Sequence, residues 1–512
     1  MILFIEPISN NPGMYVPAYP LPLLEIASYI KANIPGVPVQ VVSIPMDYGL
    51  PLDKKGKQKV YQELMDDLRT LKPKGIGISC TAISQAEEVI HLCNLIKTHD
   101  PDIFIFLGGY FPTIYYEEIL FRTSAVDLIV RGEGEESALK IAECLHRGEN
   151  PISDDIPNLA WNENGQVRLT PKGAGFDLNQ KALLNLRLLK HPAGYDILPY
   201  AFSRGCPYRC YFCMEDRIRP HRKEVPIEII GNDLANLMGQ IKARTLLVSD
   251  ALFKSFNVFP LVRSLGLKVN FETRCDVLDP SLIPQIADVC GAMALGLESA
   301  SYRTLRRMNK VRDRSHYQRY ISNAMAIFKE AAHHEIPMMV FMIAGYPGDT
   351  EEDLAESLAF AEALSKNKGP GGHVFKIGEC HVYPKTKIYD LAVSLPEVVF
   401  DDDGVFGQNI VRQPSKDVNF QTVLDYSREI FRLSHYTPKL QKALLNIMPF
   451  FRLPTQALTD DIIPDRCFQN HHRTILNVRG ESLSVFRDFA PDLALKYKEM
   501  MSMQRKTRVL NL

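Results

Sequence analysis

Long hydrophobic runs are missing from this 512-residue sequence. The longest apolar segments, such as residues 337–345, have the length of a β-strand, whereas a helix that crosses a bilayer needs about 20 apolar residues. Residues 1–6 contain neither a basic segment nor a small-residue cleavage site, so they are more typical of a strand than of a signal peptide. We therefore expect a cytoplasmic protein without a membrane span.

A surplus of either charge is missing as well. The chain has 59 Lys and Arg against 60 Asp and Glu, and the resulting net charge of −1 indicates no nucleic-acid partner. A short basic segment at residues 303–310 is explained by a solvated helix face. The composition, with 46% hydrophobic and 23% charged residues, is that of a globular protein. At this length we expect roughly two or three domains.

A disulfide framework is not predicted, although the chain has ten cysteines. A long chain without an export signal normally keeps its cysteines reduced. Isolated cysteines are mostly small buried apolar residues, and we expect this of most of Cys80, Cys93, Cys144, Cys275, Cys290, Cys380 and Cys467. The other three, Cys206, Cys210 and Cys213, lie close together and need a separate explanation.

Short apolar segments alternate with amphipathic ones over the first 150 residues. The apolar segments are rich in Ile, Val and Phe and predict strands buried on both faces, and the stretches between them predict helices. This order predicts an α/β fold with a doubly wound parallel sheet, whose ligands bind beyond the carboxyl ends of the strands. The predicted strands are residues 2–5, 39–44, 75–79, 103–107 and 127–130; the predicted helices are residues 21–33, 57–71, 86–98 and 135–147.

A second βα series follows a connector. The connector contains a predicted hairpin that turns at residues 163–165, with Trp161 buried. Six βα units predict a partial barrel, because a full barrel has eight. The predicted strands are residues 200–203, 245–249, 268–272, 292–295, 338–343 and 373–380, and helices are expected at 426–434 and 438–447. The predicted organisation is a doubly wound domain at 1–150, a connector at 151–195, a partial barrel at 196–395 and a helical region at 396–512.

The three clustered cysteines follow the first strand of the second series directly, in the order Cys206, Cys210 and Cys213. Three thiolates on one short loop can hold three irons of a cubane cluster and leave the fourth iron open for a substrate. A structural zinc site is the main alternative, but zinc normally takes four protein ligands. The nearest candidate, His221, comes eight residues after Cys213 and is not at zinc-finger spacing. The spacing therefore favours an open iron–sulfur cluster.

The loop and the segments after it resemble radical S-adenosylmethionine (SAM) enzymes. The loop matches the Cys-x3-Cys-x-aromatic-Cys signature of that superfamily, with Phe212 at the aromatic position. Five further segments resemble superfamily motifs in the right order, at residues 248–253, 271–276, 296–301, 345–352 and 383–389. The resemblance implies a [4Fe–4S] cluster on the three cysteines and SAM on its open iron. It also implies SAM contacts from Phe212, Asp250, Glu272, Arg274, Glu298, Ser299 and Gly345.

Among these implied contacts, Glu272, Arg274 and Glu298 would bind the ribose and methionine parts of SAM. Without the resemblance, a salt bridge at the strand ends would be the simpler explanation for Arg274 and Glu298.

The first domain resembles the cobalamin-binding domain that precedes the barrel in a large group of radical SAM enzymes. Residues 20–30, 107–113 and 131–135 carry this resemblance, which implies cobalamin contacts from Gly108, Gly109, Gly132 and Glu133. Two features depart from the family pattern. Phe111 replaces a histidine, and the Asp-x-His-x-x-Gly motif that supplies a histidine ligand to cobalt does not occur in the domain. A domain that has kept the fold and lost the corrinoid therefore remains an alternative.

The resemblance implies a cobalamin-dependent radical SAM enzyme that methylates an unactivated carbon, by way of methylcobalamin and a 5′-deoxyadenosyl radical. A cobalamin-dependent cyclase or ring-rearranging oxidoreductase shares the architecture and remains an alternative, as does a non-catalytic carrier or sensor. Methylthio transfer is disfavoured because the first domain lacks the three cysteines that would hold a second cluster; its Cys80, Cys93 and Cys144 are isolated. The expected partners are a small-molecule or peptide substrate and an external electron donor of the flavodoxin or ferredoxin type. No catalytic residue beyond the cofactor contacts is predicted.

Overall fold

The computed structural model describes residues 1–9, 18–49, 54–192, 195, 197–407, 409–435 and 437–447. Within these residues, no helix combines the length and the apolar character needed to cross a membrane. The architecture is α/β, with two parallel sheets, as the sequence predicts.

The first sheet is doubly wound. Five parallel strands, β1 (Ile2–Glu6), β2 (Val39–Ser43), β3 (Gly75–Ser79), β4 (Phe104–Gly108) and β5 (Leu128–Val130), lie in the order β2-β1-β3-β4-β5. Their bounds agree with the predicted strands to within about a residue, because nearly every side chain in them is buried. The helices are α1 (Leu21–Asn33), α2 (Ile44–Asp47), α3 (Lys54–Leu71), α4 (Ile83–His99), α5 (Tyr110–Ile114), α6 (Tyr116–Arg122) and α7 (Glu135–Arg147).

The two faces of the first sheet bury separate apolar clusters. Phe4 and Phe106 contribute to the cluster that includes α1 and α7, while Leu3 and Ile105 contribute to the cluster that includes α3 and α4. The predicted hairpin consists of β6 (Leu159–Glu163) and β7 (Gln166–Leu169). It adds two antiparallel strands to the edge of this sheet beside β5, so part of the predicted connector extends the first sheet. Trp161 is half-buried rather than buried.

The second sheet has six parallel strands, β8 (Leu198–Tyr200), β11 (Thr245–Val248), β12 (Lys268–Arg274), β13 (Cys290–Glu298), β14 (Met338–Ala344) and β15 (His373–Glu379), adjacent in that order. A short antiparallel ladder, β9 (Ser203–Arg204) with β10 (Lys223–Glu224), follows β8. The helices are α8 (Glu215–Ile218), α9 (Ile227–Met238), α10 (Phe259–Ser264), α11 (Ile283–Ile286), α12 (Tyr302–Arg307), α13 (Arg314–His333), α14 (Glu351–Ser365) and α15 (Lys387–Ser394). Six βα units in an open sheet are the predicted partial barrel.

The inner and outer faces of this sheet differ. Residues such as Phe271 and Leu295 join the large core formed with the surrounding helices. On the opposite face, Ala294, Met339 and Val374 form a small apolar floor with Leu440. The chain after residue 395 contributes β16 (Val399–Phe400), β17 (Val411–Gln413), α16 (Phe420–Arg432) and α17 (Pro438–Ile447).

The first of the two predicted C-terminal helices begins earlier than expected, because Asn419 caps it by accepting a hydrogen bond from the Thr422 backbone. The remainder of the predicted helical region, including Cys467, lies outside the described residues.

Candidate active site

The cysteine loop is fixed by backbone contacts. Gly205 has φ +82°, and a side chain there would collide with the His221 carbonyl, so only glycine fits before the first cysteine. The Cys206 amide donates to the Arg219 carbonyl at 3.2 Å, and the Tyr211 amide donates to the Met308 carbonyl at 3.0 Å. The loop is therefore held at the carboxyl end of β8 by its own backbone.

The three thiols lie near one another but do not converge on one point. Electrostatic interaction links Cys206, Cys210 and Cys213 in every pairing, and burial raises the pKa of Cys206 and raises that of Cys213 to about 12. No group of three His, Cys, Asp or Glu side chains in the described part of the chain could hold a single metal ion. A cubane cluster binds each cysteine through a different iron, so the three thiols must lie close together but need not point to one shared atom. The donor set therefore fits a cluster better than a zinc ion.

Arg274 connects the loop to the third strand of the barrel. Its Nη1 donates to Cys210 Sγ at 3.1 Å, and its Nε and Nη2 donate to the Asp276 carboxylate at 2.8 and 2.9 Å. The guanidinium also lies 3.8 Å from the centre of the Tyr208 ring. Burial opposes the charge of Arg274, but Asp276 more than offsets it and raises the pKa of the guanidinium. A fixed positive charge therefore lies directly beside one predicted cluster ligand.

Two glutamates stand near Arg274 at the strand ends. Glu298 has φ +67°, a conformation that is rare for a residue other than glycine and that is often found at functional sites. Its Oε1 accepts a hydrogen bond from Lys310 Nζ at 2.8 Å. Burial raises the pKa of Glu272, while Lys376 opposes and Glu298 reinforces this shift. Glu272 and Glu298 are therefore close enough to interact electrostatically.

The other predicted SAM contacts are placed differently. Asp250 accepts hydrogen bonds from the Phe202 amide and the Ser203 hydroxyl, so its carboxylate supports the chain before the loop, and burial raises its pKa to about 6. The Ser299 hydroxyl bonds to Ser357 at 3.0 Å and is buried beside α14. Gly345 has φ +75° and shapes the turn after β14. Phe212 is half-buried and packs against the main core.

A slot of about 200 Å³ opens at the carboxyl end of the first sheet. Gly77, Gly108, the rings of Phe4 and Phe106, and Ala138 of α7 line the slot. A Cβ on Gly77 would lie 2.7 Å from both rings, so this glycine makes room for the aromatic side chains. Residues of the barrel, including Arg204, close its far side. Carboxyl edges of doubly wound sheets are where ligands bind, and missing side chains allow a bulky group to approach the backbone.

The predicted glycines have distinct roles in this slot. A Cβ on Gly109, which has φ +105°, would lie 2.5 Å from the Cys80 carbonyl oxygen, so this glycine shapes the loop. A Cβ on Gly108 would meet nothing closer than 4.0 Å, so Gly108 leaves open space. Gly132 has φ +89°, and its amide donates to the Thr113 hydroxyl at 2.9 Å. The glycine-lined slot fits the nucleotide tail of a corrinoid.

No histidine is among the described residues that line the slot. Thr81, Leu21 and Pro22 line it instead. The geometry is thus consistent with the missing Asp-x-His-x-x-Gly motif.

Glu133 does not stand free in the slot. Its carboxylate pairs with Arg204 at 3.2 Å, and Arg204 also contacts Glu25 at 2.9 Å and Glu135 at 2.6 Å. Burial opposes the charge of Arg204, but the three carboxylates outweigh it and raise the pKa of this guanidinium. Because Arg204 precedes Cys206 by two residues, this network joins the slot of the first sheet to the cluster loop.

A second bridge joins the same two regions. The Tyr110 hydroxyl, one residue beyond Gly109, donates to Glu215 Oε2 at 2.5 Å and also contacts Arg219. Glu215 follows the last loop cysteine, and the Arg219 carbonyl holds Cys206. No sequence motif singled out Tyr110, Arg204 or Lys310. The partners of Tyr110 and Arg204 are far away in the chain, whereas Glu298 lies 12 residues before Lys310.

Two family models match the chain. The B12 binding domain matches residues 17–142, and the radical SAM superfamily matches residues 200–361. The first model covers the slot and the second covers the cysteine loop. The radical SAM family implies a [4Fe–4S] cluster and SAM, and the B12-binding family implies cobalamin.

Several curated proteins are similar to the chain. An uncharacterized methyltransferase of Pyrococcus horikoshii is 22% identical over 67% of this chain and 74% of its own length. The anaerobic magnesium-protoporphyrin IX monomethyl ester cyclase of Rubrivivax gelatinosus is 25% identical over 70% of this chain, which spans 65% of the cyclase. The hopanoid C-3 methylase of Methylococcus capsulatus is 33% identical, but over only 30% of each chain.

Two solved structures share the fold. The cobalamin-dependent SAM radical enzyme OxsB, with aqua-cobalamin and SAM bound, has a TM-score of 0.65 and 15% identity, over 98% of this chain and 81% of its own. The radical SAM methyltransferase TsrM of Kitasatospora setae, with cobalamin and a [4Fe–4S] cluster bound, has a TM-score of 0.60 and 16% identity, over 87% of this chain and 90% of its own. The chain belongs to the radical SAM superfamily, in the branch that carries a B12-binding domain before the radical SAM domain.

Proposed function

We propose that this chain is a cobalamin-dependent radical SAM enzyme that methylates a carbon atom of its substrate. One observation carries the proposal: the glycine-lined slot of the first sheet and the cysteine loop of the second face each other across Arg204 and Tyr110. When bound, the cluster and SAM supply a carbon-centred radical, and cobalamin supplies a methyl group. Methyl transfer to a carbon requires a radical source and a methyl source close together, which supports the proposal.

In this proposal Cys206, Cys210 and Cys213 hold the cluster. Arg274 stabilises the Cys210 thiolate by donating a hydrogen bond to it, because a charged donor lowers the free energy of a buried anion. Asp276 fixes the guanidinium in the required orientation through two parallel hydrogen bonds.

Glu298 and Glu272 are proposed to accept hydrogen bonds from the methionine amino group and the ribose of SAM. Lys310 orients Glu298, since its ammonium group also bonds to the Gly296 carbonyl at 2.7 Å and so has a fixed position. Asp250 and Ser299 act through the backbone they support, Gly345 shapes a turn near the site, and Phe212 packs the loop against the core.

Gly108, Gly109 and Gly132 are proposed to receive the corrinoid tail, with Glu133 orienting Arg204 at the rim of the slot. The unit that binds the corrinoid spans residues 1–150 together with the hairpin, the rest of 151–195 connects it to the barrel at 196–395, and 396–512 forms the C-terminal region. The proposed partners are a small-molecule or peptide substrate and a protein electron donor.

A substrate-independent experiment tests the methyl transfer. Anaerobic protein loaded with hydroxocobalamin and supplied with SAM and a low-potential reductant should form both 5′-deoxyadenosine and S-adenosylhomocysteine. The second product requires that SAM donate its methyl group, whereas the first requires only its reductive cleavage. Formation of 5′-deoxyadenosine alone would contradict methyl transfer.

Cyclisation is the second candidate, because the Rubrivivax cyclase aligns with 70% of the chain. It predicts 5′-deoxyadenosine without S-adenosylhomocysteine, and a product with no added methylene. Active protein that stays corrinoid-free in the presence of hydroxocobalamin would instead show that the first domain has lost its ligand.

A further inference from the structure

A basic cavity of about 950 Å³ lies on the outer side of the cysteine loop. Its wall includes Tyr208 and Arg209 of the loop, Arg312 in the connection between α12 and α13, and Arg319 in the middle of α13. The helix α13 packs on the outer face of the second sheet through residues such as Tyr320, so the cavity is separate from the inner face where SAM is proposed to bind.

The charge that this cavity presents to solvent is positive. Arg209, Arg312 and Arg319 are all exposed. The one acidic residue of the lining, Asp276, is already engaged by Arg274 and by His316 at 3.2 Å. Asp313, which neighbours the lining, accepts a hydrogen bond from the His316 backbone and caps α13. Arg312 and Arg319 interact electrostatically with this exposed carboxylate, which offsets part of their charge. The three exposed arginines still outnumber it, so the charge of the cavity is positive on balance.

The cavity is also close to the proposed cluster. The Tyr208 ring lies 3.8 Å from the Arg274 guanidinium, which lies 3.1 Å from Cys210 Sγ. The Asn309 side chain donates to the Arg209 carbonyl at 2.8 Å and fixes the loop to this wall. A molecule that touches Tyr208 in the cavity is therefore separated from the predicted cluster ligand Cys210 only by Tyr208 and Arg274. This short path matters because the rate of electron transfer falls steeply with distance.

We propose that this cavity is the docking surface for an acidic one-electron donor protein of the flavodoxin or ferredoxin type. The proposal rests on the proposed function, because that chemistry requires one electron from outside. In this step the donor loses one electron and the cluster gains it, and no bond forms or breaks. The donor seats against the three arginines, and the electron enters through the loop at Tyr208 and Arg274.

The distribution of charge favours a protein over a small anion. The three arginines come from three separate segments around a wide cavity, so their field extends over a surface. Complementary fields of this kind speed association and orient the two proteins.

The test uses two double variants that change the net charge equally. R312E/R319E reverses the cavity, and K242E/K268E reverses two exposed lysines that lie just before β11 and at the start of β12, at the amino ends of the barrel strands. Flavodoxin affinity is measured by titration, and the rate of cluster reduction by reduced flavodoxin is measured by stopped-flow absorbance. We expect a loss of about tenfold or more in both quantities for R312E/R319E at low salt, and less than about twofold for the control. At high ionic strength the difference in flavodoxin affinity between R312E/R319E and the unmodified protein should become smaller.

Chemical reduction separates this proposal from the proposed function. Dithionite needs no docking surface, so both variants should reduce with it and form 5′-deoxyadenosine as the unmodified protein does. If the unmodified protein forms none with dithionite, the proposed function fails, and the flavodoxin titration still decides the docking surface. Unchanged flavodoxin affinity in R312E/R319E overturns the docking proposal. So does lost affinity for ATP with unchanged flavodoxin affinity, which would assign the cavity to a small anion.

Discussion

The carboxyl edges of the two sheets carry opposite kinds of residue, although the strands that end there are parallel in both. The first edge is lined by glycines such as Gly108 and Gly132, where a Cβ would meet no atom closer than 4.0 Å. The second edge carries Glu272, Arg274 and Glu298, with partners that hold two of them in place. A parallel sheet fixes where a ligand can bind, and the residues at its edge decide which ligand. The first edge selects by shape and the second by charge.

Two sets of side-chain contacts connect the first edge to the second. Arg204 reaches from the barrel to three carboxylates of the first domain, and Tyr110 reaches from the first domain to Glu215 and Arg219. Buried ion pairs stabilise a structure little on balance, but they fix geometry because each broken contact leaves a buried charge. The two edges are therefore held in one orientation.

The largest effect is expected for the cysteine loop, which lies beyond the second edge. Replacement of Cys206, Cys210 and Cys213 by Ala should abolish iron retention and 5′-deoxyadenosine formation, because no other thiol in the described chain replaces them. Anaerobic protein should otherwise hold about four irons. Iron analysis and the visible spectrum measure this. Cys290→Ala, a buried cysteine in β13, is the control and should keep its iron. A triple variant that keeps iron, or a colourless zinc protein, contradicts the assignment.

The next effect concerns shape at the first edge. Gly108→Leu should fill the slot and lower corrinoid affinity by about 100-fold or more, equal to about 2.7 kcal/mol, because its Cβ points into open space. Spectroscopic titration with hydroxocobalamin measures this, and the cluster should remain. Gly36→Leu, at an exposed glycine with nothing within 4 Å of its Cβ, is the matched control. Gly109→Leu should also abolish binding, but its collision with the Cys80 backbone disrupts the loop and makes it a poorer test.

If Gly108→Leu binds hydroxocobalamin as tightly as the unmodified protein does, the nucleotide tail of the corrinoid does not occupy the slot.

Charge at the second edge should have a smaller effect. Glu298→Gln should weaken SAM binding by one to two decades, since a charged hydrogen bond contributes about 1.5–3 kcal/mol. Lys310 would then lose its carboxylate partner as well. Isothermal titration with the cluster-loaded protein measures the affinity, and the cluster spectrum should not change. Glu228→Gln, an exposed position on α9, should leave the affinity unaltered. Equal affinity in Glu298→Gln and the unmodified protein would make Glu298 a purely structural residue.

Arg274→Ala should also weaken SAM binding by one to two decades and leave the iron content intact. Its direct contact with Cys210 adds a second effect: the midpoint potential of the cluster should fall, because a hydrogen bond to a ligand sulfur stabilises the reduced state. Redox titration followed by electron paramagnetic resonance measures this shift. An unchanged potential would mean that the contact does not persist in the loaded protein.

The α/β architecture could be predicted because both sheets consist of strands buried on both faces, which leave nearly continuous apolar segments in the sequence. The cysteine loop could be predicted because its ligands are local. Arg204 could not be predicted, because its three carboxylate partners are distant in sequence. Lys310 is only 12 residues from Glu298, but it ends a basic segment that a solvated helix face would explain, and its burial is not visible in the sequence. Motif order also says nothing about side-chain direction. Asp250 and Ser299 stand at the expected positions, yet they bond to Ser203 and Ser357 respectively.

The smallest expected effect is a pH dependence of stability at the first edge. Glu6 ends β1, and burial raises its pKa to about 7, with Asp47 adding to the shift and the Ser43 hydroxyl opposing it. In the unfolded chain the pKa returns to its ordinary value near 4.5. Between about pH 4.5 and pH 7, Glu6 holds a proton in the folded state that it has released in the unfolded chain. The free energy of unfolding therefore falls as the pH rises through this range.

From pH 6 to 8 this group alone should lower the free energy of unfolding by about 1 kcal/mol. Glu6→Gln should remove that part of the pH dependence, because an amide has no proton to release and can still accept the hydrogen bond from Ser43. Urea unfolding at pH 6, 7 and 8 measures the difference, with Glu136→Gln as an exposed control in the same domain. If the free energy of unfolding of Glu6→Gln changes between pH 6 and pH 8 by as much as that of the unmodified protein, Glu6 is solvated in the folded state. The first edge would then tolerate charge as the second does, and shape alone would not distinguish them.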